Sequence, residues 1–141
     1  MAVEFAQAVQ TPWGTLTALG DAQGICRVTF EPCPEADVLP PLPWEWFKMM
    51  EEYLSGQRRD FPLPQVLCGP PDWIRVWYGL MAVPYGETTT VSALAERLNL
   101  AEKTVEAAAE HCPNLLIIPV HRLDPSHPIT CFERENTPVT P

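Results

Sequence analysis

At 141 residues and 46% hydrophobic side chains, the chain is long enough for one ordinary domain or two small ones with packed cores. Nine basic residues face 18 acidic ones, a formal net charge of -9, and the acid excess holds on both sides of Pro70: nine against four before it, nine against five from it onward. Such a balance argues against a strong general nucleic-acid binder, which gains affinity by placing cations on phosphates. No run approaches the roughly 18 apolar residues of a membrane span, and the N-terminus lacks a basic region followed by a long apolar run, so a cytoplasmic protein without a membrane partner is expected. Five cysteines without a CxxC pair suggest reduced thiols, and the spacing of Cys112 and Cys131 against His111, His121 and His127 matches no zinc pattern. Neither a metal nor a cofactor is expected.

In chain order, "FAQAVQTPWGTLTALGDAQGICRVTF" alternates β-favouring segments with the turn signals TPWG and DAQG, which predicts a three-stranded antiparallel meander over residues 4–30. The proline-rich "EPCPEADVLPPLP" reads as an irregular connection. "PWEWFKMMEEYLSG" places Pro43 at a first helical position, Trp44, Phe47, Met50 and Leu54 on one face, and Gly56 as a stop. "QRRDFPLPQVLCGPP" then reads as an extended linker, with a domain boundary near residue 68.

Beyond it, Trp73, Val76, Trp77, Leu80 and Met81 recur at helical spacing, so a helix is expected to about Ala82, ahead of Pro84. Thr90 is a candidate cap for a second helix with Val91, Leu94, Ala95 and Leu98 on one face. Asn99 is the candidate cap of a third, with Glu102 as its capping-box acid. Two short helices joined by a tight turn form a helix-turn-helix-like pair, a pattern that ordinary core packing also produces. "LLIIPVHRLD", residues 115 to 124, reads as a buried strand that delivers His121 and Arg122 together, whereas "CFERENTPVTP" is too polar and proline-rich to be read as a helix.

Together "TPWGTLTAL" with "GICRVTF", "YLSGQRRDFPLP", "RVWYGLMAVPYGETTT" and "IIPVHRL", in this order over residues 9–132, resemble the O6-alkylguanine-DNA alkyltransferase family. The resemblance implies a small α/β domain followed by a domain whose helix-turn-helix enters the minor groove of DNA. There a damaged guanine is flipped out and its alkyl group passes to a cysteine of a PCHR motif, made reactive by a histidine acting through water and a glutamate. Pro119, His121 and Arg122 match that motif, but its cysteine is Val120, which has no lone pair to offer an alkyl carbon. The family's intercalating arginine falls on Lys103, a helix tyrosine on Val91, and the asparagine before the motif strand on Cys112 with Pro113 retained; small helix glycines fall near Glu106 and Ala107. Cys131 and Phe132 roughly match a GY pair, while the glycine-rich loop and C-terminal helix with its glutamate find no counterpart, so His121 is expected to lack its partner.

The expectation is therefore an α/β fold: residues 1–68 as a small domain with an antiparallel sheet and one helix, and residues 69–141 as a mostly helical domain with the helix-turn-helix-like pair. The implied function is a catalytically inactive homologue that recognises alkylated double-stranded DNA, weakly, as a monomer, with Lys103, Thr89, Thr90 and Phe132 as DNA contacts. Subgroup members without the cysteine, called alkyltransferase-like proteins, flag such lesions for excision repair. The competing reading is a diverged scaffold that binds a protein partner and no longer binds DNA: Glu102, Glu106 and Glu110 share one face of the presumed recognition helix, where they would oppose phosphates. His121 and Arg122 are equally readable as structural residues bonded to the backbone or to Asp124, and Cys112 as a buried thiol or a reactive one.

Overall fold

Why residues 5–29 form a sheet follows from their alternation and from two turns in which glycine adopts positive φ, Gly14 at 122° and Gly24 at 155°. In the computed structural model, which describes residues 3–136, the antiparallel strands β1 (Phe5–Thr11), β2 (Gly14–Asp21) and β3 (Gly24–Thr29) lie in the order β1-β2-β3, with Ala8 opposite Thr17 and Thr17 opposite Thr29. The register shifts between Leu19 and Gly20, where an added Cβ on Gly20 would stand 2.7 Å from the Gly24 carbonyl oxygen. Edge strands need partners, and both edges have them. The Ala6 amide donates to Pro40 on one side; on the other, Ile25 pairs with Gln65 and Val28 with Asn114 through parallel bridges.

The chain divides into two units, residues 1–67 with 113–117 and residues 68–112 with 118–141. In the first, the connection after β3 contains one 3-10 turn, Pro34–Asp37, and helix α1 runs Trp44–Leu54. Pro43 is its N-cap and not its first residue, and Gly56 ends it at φ 81°. The buried face of α1 differs from the expected one: Met50 and Tyr53 are buried, whereas Trp44 is 64% exposed.

The second unit carries α2 (Pro71–Met81), α3 (Val91–Leu98), α4 (Glu102–Glu110), a 3-10 turn (Val120–Leu123) and α5 (Pro128–Glu135). Its core contains Val76, Trp77 and Leu80 of α2, Leu94 and Ala95 of α3, and Val105 and Ala108 of α4. Trp77 donates its indole N–H to the Ala108 carbonyl at 2.8 Å, so the buried indole is satisfied while it joins α2 to α4. Gly79 lets α3 approach, since a Cβ there would lie 3.1 Å from both Leu94 and Leu98. Arg97 and Arg75 tie the same two helices through the Gly79 and Leu98 carbonyls.

Thr90 caps α3 as expected, its hydroxyl accepting the Ala93 amide at 3.0 Å. Asn99 does not cap α4. It closes α3 in the left-handed conformation, φ 56°, a backbone state asparagine tolerates well; the N-cap of α4 is Ala101, and Glu102 is already helical. Nor does "LLIIPVHRLD" form a regular strand. Leu116 turns at φ 72°, residues 113–117 bond into the first unit through Val28, and Val120–Leu123 is the 3-10 turn. The C-terminal expectation is overturned as well: Pro128 begins the helix α5, with Thr130 and Glu133 buried within it. Of "CFERENTPVTP", residues 137–141 lie outside the described residues.

Candidate functional site

The 3-10 turn after Pro119 brings the consecutive side chains of His121 and Arg122 to one carboxylate, that of Glu133. Arg122 donates Nε and one terminal nitrogen to the two oxygens of Glu133, 2.8 Å each, and its other terminal nitrogen to the Val83 carbonyl at 2.6 Å. The guanidinium also lies 5.8 Å from the centroid of the Tyr85 ring. Glu133 is 0% exposed and Arg122 7%, so this is a buried fork-to-fork pair whose remaining guanidinium edge is met by a carbonyl and an aromatic face. Backbone bonds complete the seam. The Thr89 amide donates to the Arg122 carbonyl at 2.9 Å, and the Thr130 hydroxyl donates to the His121 carbonyl.

His121 Nε2 stands 2.9 Å from Glu133 Oε2, within ion-pair range. The ring N–H does not align with that oxygen, so the contact is a close electrostatic approach and not a well-formed hydrogen bond. Burial pushes the His121 imidazole below its ordinary value of 6.5, outweighing the upward pull of Glu133; the nearby charges of Arg122 and His127 push it further down. Burial thus disfavours the charged form of the histidine, beside a carboxylate whose charge Arg122 already matches.

His121 thus has a carboxylate partner, contrary to expectation. The partner is Glu133 on α5, a helix hidden in sequence by its short, polar composition. Arg122 likewise pairs with Glu133 and not with Asp124, which accepts from the hydroxyl and amide of Ser126 and whose carboxyl is held below the usual range by those bonds. One sequence signal could have located Glu133: Ile129, Thr130 and Glu133 follow the i, i+1, i+4 pattern of a helix face behind a helix-starting proline.

The other candidate residues are more dispersed. Val120 is half-buried at the start of the 3-10 turn. Cys112 is half-buried just after α4, its amide donating to Ala109. Lys103 is exposed in the first turn of α4, while Glu102, Glu106 and Glu110 are exposed along the same helix. Thr89 is engaged through its backbone and Thr90 through its capping hydroxyl, and Phe132 is half-buried on α5. Trp73, half-buried on α2, stacks on His111 with ring centroids 5.0 Å apart. Among the described residues, no group of three or more His, Cys, Asp or Glu is placed to hold a metal ion, and no helix is long and apolar enough to cross a membrane.

The chain is similar to known proteins in sequence and in fold. The family of 6-O-methylguanine DNA methyltransferase DNA-binding domains matches residues 73–128, which span α2 to the start of α5. A DNA base-flipping protein of Thermus thermophilus is 37% identical over 76 residues, 52% of each chain. A methylated-DNA--protein-cysteine methyltransferase of Mycobacterium leprae is 32% identical over 81 residues, 56% of this chain and 49% of the relative, so the chain spans about half the length of these curated relatives. In structure, the Mycobacterium tuberculosis OGT solved in complex with DNA superposes with a TM-score of 0.80 at 22% identity over 95% of both chains, a likeness of fold. Residues 73–128, the helical segment that carries the PVHR motif, thus match the DNA-binding domain of the 6-O-methylguanine DNA methyltransferase family, and the whole chain shares the fold of such proteins.

Proposed function

We propose that the protein recognises alkylated double-stranded DNA without repairing it. The observation that carries this reading is Val120, standing at the alkyl-acceptor position of a motif whose His121, Arg122 and Glu133 remain assembled. Alkyl transfer needs a nucleophile with a lone pair, which a valine side chain lacks. An apolar, half-buried side chain can instead pack against an alkyl substituent of a flipped base through dispersion, while the buried Arg122–Glu133 pair holds the turn that presents it. The similarity to a relative named for base flipping supports a binding role that needs no transfer. Lys103 and the amino end of α3 near Thr89 and Thr90 are the proposed phosphate contacts. With three exposed glutamates along α4 and Lys103 as the side-chain cation among these contacts, binding is weak and falls only shallowly as salt rises.

A second reading is favoured by those same glutamates: the α4 face has left DNA and meets a protein. Fluorescence titration with a duplex containing O6-methylguanine, against the same duplex with guanine, separates the two. Lesion-selective binding that weakens as salt rises supports recognition; no binding at low salt overturns it in favour of the protein partner. Mass spectrometry of the protein after incubation with the alkylated duplex tests the loss of chemistry, because a methyl adduct on Cys112 or any other residue contradicts it.

A further inference from the structure

We propose that the first unit carries a small-molecule site, a cavity between the sheet and the Pro34–Asp37 turn that takes a hydroxylated organic cation. The cavity measures about 460 Å³, within the usual size range of ligand pockets, and every residue lining it belongs to residues 1–67. Its floor follows from the strand register. Ala8 stands opposite Thr17 and Thr17 opposite Thr29, so these side chains share a face with Thr15, while Leu16 and Ala18 point to the other face and into the core. Ala8, Thr15 and Thr17 form the sheet side of the cavity, and Asp37 closes the turn on its other side.

Thr17 is the residue that points to a ligand. It is 3% exposed, and its hydroxyl has no hydrogen-bond partner among the described residues. The neighbouring hydroxyls on this face are engaged: that of Thr15 donates to Gln10 Oε1 at 3.1 Å, and that of Thr29 accepts the Glu31 amide at 3.0 Å. A buried hydroxyl without a partner costs stability that a valine of the same shape would not, so packing alone does not account for a threonine here. A ligand hydroxyl at the floor would satisfy it. Above the floor, Phe30 and Pro32 offer an aromatic and an aliphatic surface to an apolar body. The mouth selects the charge. Glu31 is held by Arg27 at 2.8 Å, whereas no ion pair among the described residues engages the exposed Asp37. No basic residue lines the cavity, so an anion meets no counter-charge there and a cation meets Asp37. A phenol-bearing amine fits this order, with its hydroxyl at Thr17, its ring beside Phe30 and its ammonium at Asp37. The site rests on the first unit's residues alone and does not depend on the reading of the PVHR turn.

Titration of the full chain with tyramine, followed by two-dimensional amide NMR, tests the site. Saturable shifts are expected at the Ala8, Thr15, Thr17 and Asp37 amides and not across the second unit, with a dissociation constant on the order of 1 mM. Phenethylamine, which lacks the hydroxyl, is expected to bind about fivefold more weakly, and hydroxyphenylpropionate, with a carboxylate in place of the ammonium, not to bind. Thr17→Val is expected to bring tyramine down to the affinity of phenethylamine, while the thermal midpoint of the free protein stays the same or rises, because no internal hydrogen bond is lost. Asp37→Asn is expected to weaken tyramine about threefold. The proposal is overturned by an absence of shifts at the cavity amides up to about 10 mM tyramine, which leaves the cavity to water, and by shifts spread over both units. Equal binding of the propionate overturns it too, as does a Thr17→Val variant with a lowered midpoint, since the hydroxyl then serves the fold.

Discussion

Two charged regions of the second unit make opposite use of their charge. Along α4, Glu102, Glu106 and Glu110 point into water with Lys103 nearby, and no ion pair among the described residues engages them. At the 3-10 turn, Arg122, Glu133 and His121 are buried, and each nitrogen of the guanidinium donates to a fixed acceptor. Water screens the first set, so its worth lies in what it attracts or repels at a distance; the second set, removed from water, is unforgiving of a missing partner. The contrast separates a solvated surface, which the proposed function makes a modulator of binding, from a cluster that holds the structure.

Removing one member of the buried cluster should produce the largest effect. Glu133→Gln leaves the Arg122 charge uncompensated in the interior and is expected to destabilise the fold by about 3 kcal/mol, read from urea unfolding. An effect no larger than that of a surface substitution would place the two regions in one class. Next comes pH. Because burial holds His121 below its ordinary value of 6.5, the unfolded chain takes up a proton that the folded chain refuses as pH falls through that value. Stability conferred by the neutral histidine is therefore present above that range and declines below it; unfolding midpoints measured at about pH 7.5 and about pH 5.5 check the sign.

A cap on the helix pair offers a smaller test. Thr90→Ala removes the acceptor for Ala93 and is expected to cost about 1 kcal/mol in the same unfolding assay. Smallest in stability is the triple change of Glu102, Glu106 and Glu110 to Gln, expected to stay within about 0.5 kcal/mol per site by thermal melting. Its expected consequence lies in binding: tighter association with duplex DNA at low salt, since three repulsive charges are gone. Unaltered DNA affinity would mean that α4 does not approach the phosphates.

How far the sequence was legible depended on the range of the interactions involved. The meander was readable because strand alternation and glycine turns are local signals, and α2 and α3 because apolar spacing and the Thr90 cap are local too. Asn99 misled because the same residue type serves a helix start through its side chain and a helix end through its tolerance of the left-handed backbone. α5 was missed for a different reason: a short helix with a low apolar content gains its stability from tertiary anchors that periodicity does not reveal.

By itself, the amino-acid sequence determined the element types of the sheet and the longer helices, the family likeness, and the presence of valine where the family chemistry needs a thiolate; each is written in local pattern or residue identity. Only the tertiary structure decided that His121 and Arg122 share Glu133, and that "LLIIPVHRLD" lends residues 115–117 to one unit and its His-Arg turn to the other. A buried charge must find its counter-charge wherever the fold brings one, and here that partner lies 11 residues further along on a helix that exists because it is docked.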